Sequence, residues 1–512
     1  MKWQRWQVAV SMVLMYGILL LCHGYQFGSG DMVQLDPLVL YHTHPDLYQG
    51  DLYIANATAS FPNERFFFLQ FLYPFSDHLE WISFLLHIGF SILLLAGIRA
   101  ISKRYIFDEW LRLLVPLVVF IPLYGINLGS NELYYGIFHP SLVAKAIGVW
   151  AIFYWLNSRV ILALLISALS TLMHPVAGLQ VFTGIFLAES ALSFQEKRSG
   201  LPKRLVIGGL LWLFTAGIFI ILLFFRFRDT STTGIDFFQI FYVFRNPHHY
   251  LPTSFPVSSW YIIGGLTMLG TWLYYYKERR LFWFFIVHIV LLGIYSYSTL
   301  QLRFESITTL QWFKATIWLE MLSVVAVIGW LEKWWSKLAP VAVYRAGVVA
   351  LLIAVLAYGW LVTPSYAYAR EYQPYQLPFR DYTDDAIVIS KAAKAATPKD
   401  ALFIHPCHFT ELKYFGERSS FVEYKALTHT KSFLKEWSER LALIYRLDYT
   451  SSPAGYQTCR YADEQFRKWT ADDLLEFNSR YGITHIITYA DTPLDLPVVA
   501  ANDTYVLYDC RR

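Results

Sequence analysis

GSGDMVQLDPLVLYHTHPDLYQGDLY, Gly28 to Tyr53, follows directly on an apolar segment long enough to cross a bilayer and gathers four carboxylates and two histidines into one stretch. Asp31, Asp36, Asp46 and Asp51 thus emerge where a helix would leave the membrane. A carboxylate held at that water boundary stays ionised and can serve as a base. Asp36-Pro37 and His44-Pro45-Asp46 read as turn formers, whereas Asp31 and Asp51 have no such local explanation and are the candidate functional acids.

The rest of the chain supplies the membrane. Of 512 residues 56% are hydrophobic and only 16% charged, and the mean hydropathy is +0.37, which is the composition of a multi-span membrane protein. A net charge of +4 is spread thinly, and beyond residue 365 there are 18 Lys and Arg against 20 Asp and Glu, so nucleic acid is not an expected partner. The first apolar run, Val8 to Cys22, has no small-residue cleavage site after it and reads as a retained span.

Allowing roughly 20 residues per span, about eleven apolar runs are expected to cross. They lie near 7–24, 80–100, 110–126, 141–157, 160–174, 176–194, 205–225, 258–276, 281–297, 311–330 and 342–362. This assignment puts Lys2, Arg5, Arg99, Lys103, Arg104, Arg112, Arg159, Lys197, Arg198, Lys203, Arg204, Lys277, Arg279, Arg280, Lys333, Lys337 and Arg345 on one side. The opposite loops hold only Arg65, Arg226, Arg228, Arg245 and Arg303. By the positive-inside rule the amino terminus is cytoplasmic and the tail outside. None of the fourteen histidines falls in a cytoplasmic loop, which marks the outer face as the working one.

Two aromatic stretches, Glu64 to Phe75 and Ile235 to Asn246, are too short or too polar to span and are expected to lie in the interface. A first domain, 1–364, therefore carries a large outer loop, 25–79, and a second, 365–512, is a soluble extracytoplasmic α/β domain. In that domain IVISKAAKAA reads as a helix, ALFIHP as a buried strand, Thr430 to Leu447 and Thr470 to Tyr481 as helices, and Ile483 to Tyr489, Pro497 to Ala500 and Tyr505 to Tyr508 as strands. A Cys407–Cys459 disulfide and three buried thiols are both compatible with the cysteine spacing.

An outward-facing site has no supply of ATP or nucleotide sugar, so a synthetic reaction there must draw on a donor delivered through the lipid, and a polyprenyl phosphate fits. Such chemistry needs a carboxylate base and cations for the leaving phosphate. The candidate substrate-binding cations are Lys145, Arg245, Arg303 and Lys314, with Asp51 beside them; a lysine near a helix centre costs about 2.5 to 3.5 kcal/mol to insert unless it snorkels. RNPHHY, Arg245 to Tyr250, adds His248 and His249. A divalent metal, Mg or Mn, held by Asp31, His248 and His249 is an alternative, although adjacent histidines lack the i, i+4 spacing of a helical metal site. His139-Pro140 and His174-Pro175 mark helix starts.

An acidic loop straight after the first span, interfacial helices, about eleven spans and an outer α/β tail together resemble the GT-C superfamily of polyprenyl-phosphate-sugar glycosyltransferases. The resemblance implies a catalytic carboxylate in the first outer loop, and Asp31, within GSGDMVQLDP, is the matching acid. It also implies an inner-membrane enzyme that moves a sugar from a polyprenyl-phosphate donor to a lipid, glycan or protein acceptor on the outer face. GDMVQLDP, Arg245 to Tyr250, and R-x-x-x-V-x-x-K (Arg418, Val422, Lys425) further resemble a group of uncharacterised bacterial membrane proteins. The alternatives are a transporter or flippase, or a noncatalytic envelope-assembly protein. The chain lacks the internal repeat often seen in transporters.

Overall fold

The computed structural model describes residues 3–196, 202–226, 234–362 and 376–511. The expected domain boundary at 364/365 and the basic residues Lys2, Lys197, Arg198 and Arg228 lie outside the described residues.

Each apolar run forms a helix, but not all are spans of full length. Among the described residues seven helices are long and apolar enough to cross a membrane: Arg5–His23, Phe66–Ser102, Pro175–Gln195, Lys203–Phe225, Arg279–Leu300, Glu305–Leu338 and Val341–Gly359. The remaining four expected spans are the helices Glu109–Phe120, Pro140–Leu156, Val160–Met173 and Val257–Lys277. With 12, 17 and 14 residues the first three are shorter than any of those seven. At 1.5 Å per residue a 12-residue helix covers only about 18 Å of the roughly 30 Å hydrocarbon core. Val257–Lys277 is long enough, with 21 residues, but its Ser, Thr and Tyr content makes it less apolar than the seven. The chain is a multi-pass, α-helical membrane protein with a small C-terminal sheet.

The chain divides into two compact units. The first, Met1–Tyr25, Phe84–Leu222 and His248–Tyr375, is the helical one. Its centre is packed by Trp155 and Trp318, both fully buried, and Gly148 leaves room for the Trp318 ring, which a Cβ there would meet at 3.1 Å. Two of its buried carboxylates are paired: Glu189 accepts from Trp155 Nε1 at 2.8 Å, with Arg280 at 2.8 Å, and Glu332 accepts the backbone N–H groups of Phe107 and Asp108. Both His-Pro dipeptides start helices as expected. His139 and His174 are N-caps whose Nδ1 atoms accept from Leu142 N and Ala177 N at 3.2 and 3.3 Å, with proline at the first turn, where its missing N–H costs nothing.

The second unit is Gln26–Ser83, Leu223–Pro247 and Gln376–Arg512. Its five-stranded sheet is built from β1 (Leu402–Ile404), β2 (Ser419–Ser420), β3 (His485–Tyr489), β4 (Val498–Ala501) and β5 (Tyr505–Asp509) in the order β2-β1-β3-β5-β4. β1 runs parallel to β2 and β3, and β5 is antiparallel to β3 and β4. The helix Asp385–Ala396 covers one face through Ile389 and Ala393, against Phe403, Ile487 and Leu507. The helices Lys431–Tyr445 and Ala471–Tyr481 and the three carboxy-terminal strands lie within a few residues of their sequence expectations. Cys407 and Cys459 form a disulfide.

Two local expectations are corrected here. Asp36-Pro37 is not a turn: both residues sit inside the helix Met32–Thr43, and Asp36 is fully buried. Pro37, sixth in that helix, leaves the Val33 carbonyl without its intrahelical N–H partner, and the helix nonetheless continues to Thr43. Most rings of the aromatic run at 235–246 are withdrawn from the surface: Phe238, which caps a π-helical turn, Gln239–Arg245, and Phe241, Tyr242 and Phe244 within it are buried, while Phe237 is partly exposed. The other run is divided, with Phe68, Leu69 and Leu72 fully buried and Phe75 exposed.

Candidate functional site

Asp31 stands at the head of the helix Met32–Thr43 but its side chain makes no capping bond, so the carboxylate is not spent on the helix end. Gly28 and Gly30 precede it at φ 61° and 58°, conformations that favour glycine, and a Cβ on Gly28 would meet the Phe415 ring at 3.2 Å. The carboxylate, 41% exposed, lies 3.8 Å from Arg65 Nη2 and 3.7 Å from Lys425 Nζ. Both separations exceed a hydrogen bond's.

Arg245 joins the same cluster from the π-helical turn. Its Nε donates to Tyr424 O at 2.8 Å and its Nη2 to Lys425 O at 3.3 Å, while the guanidinium lies 4.3 Å over the Tyr424 ring. Next to Arg65, Glu64 pairs with His429 at 3.5 Å. Burial pushes Glu64 up, but His429 and Arg65 outweigh it and bring its pKa to about 2. Desolvation draws the Lys425 ammonium below its ordinary value, Asp31 opposing this and Arg245 reinforcing it. Two cations, Arg65 and Lys425, thus flank one partly exposed carboxylate, and Arg245 is bonded to the Lys425 backbone behind them, an arrangement able to hold an anion beside a base.

Of the sequence-nominated residues, Asp31 and Arg245 both contact Lys425, the first through its ammonium and the second through its carbonyl, whereas Asp51 lies elsewhere. Asp51 is 1% exposed, caps the helix Leu52–Ala59 through Ile54 N at 3.0 Å and forms an ion pair with Lys413 at 3.1 Å. In the helical unit, Lys145, Lys314 and His249 converge on Gly129–Glu132. Lys145 is fully buried and donates to Asn131 Oδ1 at 2.8 Å and to Glu132 O; Asn131 Nδ2 donates to Lys314 O at 3.0 Å; and His249 Nδ1 lies 3.0 Å from Gly129 O. The His248 and His249 rings are 4.2 Å apart. Arg303 is exposed at φ 47°. Among the described residues no three His, Cys, Asp or Glu side chains group as a metal site requires.

Sequence reasoning missed two members. Arg65 counted only as one of the few outer-loop basic residues, within an aromatic run. Lys425 closed the R-x-x-x-V-x-x-K pattern without a role, and that spacing was the one available signal.

This architecture is GT-C-like: a multi-span helical unit, an acidic first loop and an α/β tail. The crystal structure of ArnT from Cupriavidus metallidurans bound to undecaprenyl phosphate is similar over 99% of this chain and 98% of that one, at a TM-score of 0.50 and 12% identity. Residues 385–444 match a domain of unknown function, DUF6798. No curated protein matches the sequence.

Proposed function

We propose that this protein is a membrane glycosyltransferase that moves a sugar from a polyprenyl-phosphate carrier to an acceptor hydroxyl on the outer face of the inner membrane. The observation that carries the reading is the Asp31 carboxylate between Arg65 and Lys425, with Arg245 beside them. The GT-C-like fold and the undecaprenyl phosphate bound to ArnT support it.

In this reading Asp31 accepts the acceptor's hydroxyl proton as that oxygen bonds to the anomeric carbon. The bond from the anomeric carbon to the phosphate oxygen breaks, and the carrier phosphate leaves with one more negative charge. Arg65, Lys425 and Arg245 stabilise that charge where it develops. The Cys407–Cys459 disulfide supports an extracytoplasmic tail, since such bonds persist in oxidising compartments.

The test is transfer by the reconstituted full chain from a panel of undecaprenyl-phosphate sugars. Asp31→Asn keeps the shape but cannot take the proton, so turnover falls by about 10²- to 10⁴-fold while undecaprenyl phosphate still binds. Near-normal transfer by Asp31→Asn would overturn the assignment of the base.

A further inference from the structure

Lys425, one arm of the candidate site, ends a short segment whose other end is set in a buried ionic network. Lys413 Nζ lies 3.1 Å from Asp51 Oδ2 and 3.0 Å from Glu423 Oε2, and all three side chains are at most 2% exposed. Ser420 N donates to Asp51 Oδ2 at 3.0 Å and Ser420 Oγ to Glu423 Oε1 at 3.3 Å, while His405 Nε2 is 2.9 Å from the same hydroxyl. The Glu423 carbonyl accepts Trp437 Nε1 at 2.8 Å. The next two carbonyls, of Tyr424 and Lys425, are the ones that hold Arg245. One six-residue segment, Ser420 to Lys425, therefore connects the network to Lys425, which pairs with Asp31, and to Arg245, which its carbonyls hold.

We infer that Glu423, Lys413 and Asp51 are positioning residues for the anion-holding arms Lys425 and Arg245, and that the protonation of Glu423 sets how well those arms hold a phosphate. This rests on the proposed reading of the Asp31 cluster. The groups that face Glu423 are Lys413, Asp51, His405, Tyr48, Tyr53 and Tyr445. Burial pushes Glu423 up to about 7, Lys413 opposing this and Asp51 adding to it. Below that pH the network is neutral, one ammonium against one carboxylate. Above it, one uncompensated buried negative charge lies two residues from Lys425 and opposes an incoming anion.

The experiment measures undecaprenyl phosphate binding to the full chain in nanodiscs between pH 5.5 and 8.5. The ligand's own titration cancels in the ratio of wild type to Glu423→Gln, which fixes the neutral form. The expected ratio of dissociation constants is near one at pH 5.5 and rises to about fivefold weaker for wild type at pH 8.5. Lys413→Met, which touches neither Asp31 nor Lys425, is expected to bind about tenfold more weakly while its folded fraction keeps the Cys407–Cys459 disulfide. A purely structural role would lower its melting temperature but leave the affinity of the folded fraction unchanged. Parallel pH profiles for wild type and Glu423→Gln would overturn the inference, and Glu423→Gln keeps the test open if Lys413→Met does not fold. Lys425→Ala separates the two readings: if it binds as wild type does, the reading of the site fails, whereas weak binding by Lys425→Ala with parallel profiles defeats the positioning role alone.

Discussion

Asp36 follows Asp31 at the fifth position on, and their surroundings are opposite. Asp31 has two cations within 4 Å, whereas neither carboxyl oxygen of Asp36 has a hydrogen-bond partner among the described residues. Burial, and then Glu80, push Asp36 well above the ordinary carboxylate range. An acid whose folded pKa is raised keeps its proton after the unfolded chain has lost it, so its contribution to stability falls as pH rises above about 4. Asp36→Asn removes that dependence. Melting of the full chain at pH 4.5 and 8 should give a variant close to wild type at the lower pH and more stable by about 1 to 3 kcal/mol at the higher. An equal pH slope for both proteins would mean that Asp36 is ionised. Sequence showed the acid and its proline but not the burial, because the apolar residues that enclose it come from segments distant in the chain.

Elements whose signal is local were legible. The His-Pro dipeptides fixed two helix starts because capping needs only a side-chain acceptor and the N–H three residues on. His139→Ala should destabilise the folded chain by about 1 kcal/mol, and His139→Asn, which keeps an acceptor, by less; denaturant titration in detergent micelles would measure both. The tail strands were equally readable from their apolar runs. The π-helical turn at Gln239–Arg245 was not, since its aromatic pattern is that of an interfacial helix and its burial depends on Tyr424 and His429, nearly two hundred residues on.

For the molecule as a whole, composition alone announced a membrane protein, while sidedness rested on basic residues. The expected outcome is that single cysteines placed in an otherwise cysteine-free chain at exposed tail positions such as Tyr456 react with an impermeant reagent in intact cells, and that a cysteine at Lys333 reacts only after permeabilisation. The reverse pattern would invert the topology and remove the outer-face reading. What the sequence did not show is that the tail shares its unit with the first loop and the 223–247 segment, since long helical passages separate the three.

That discontinuity has a price in time. Asp51 accepts the backbone N–H of a residue 369 positions later. At ribosomal speeds of roughly 5 to 20 residues per second, the first loop waits about 20 to 70 seconds, its acids without their lysines, before the tail exists to receive it. A chain stalled or cut before residue 400 would keep its helices and present an open, unmatched loop, the kind of surface that chaperones shield and quality-control proteases recognise.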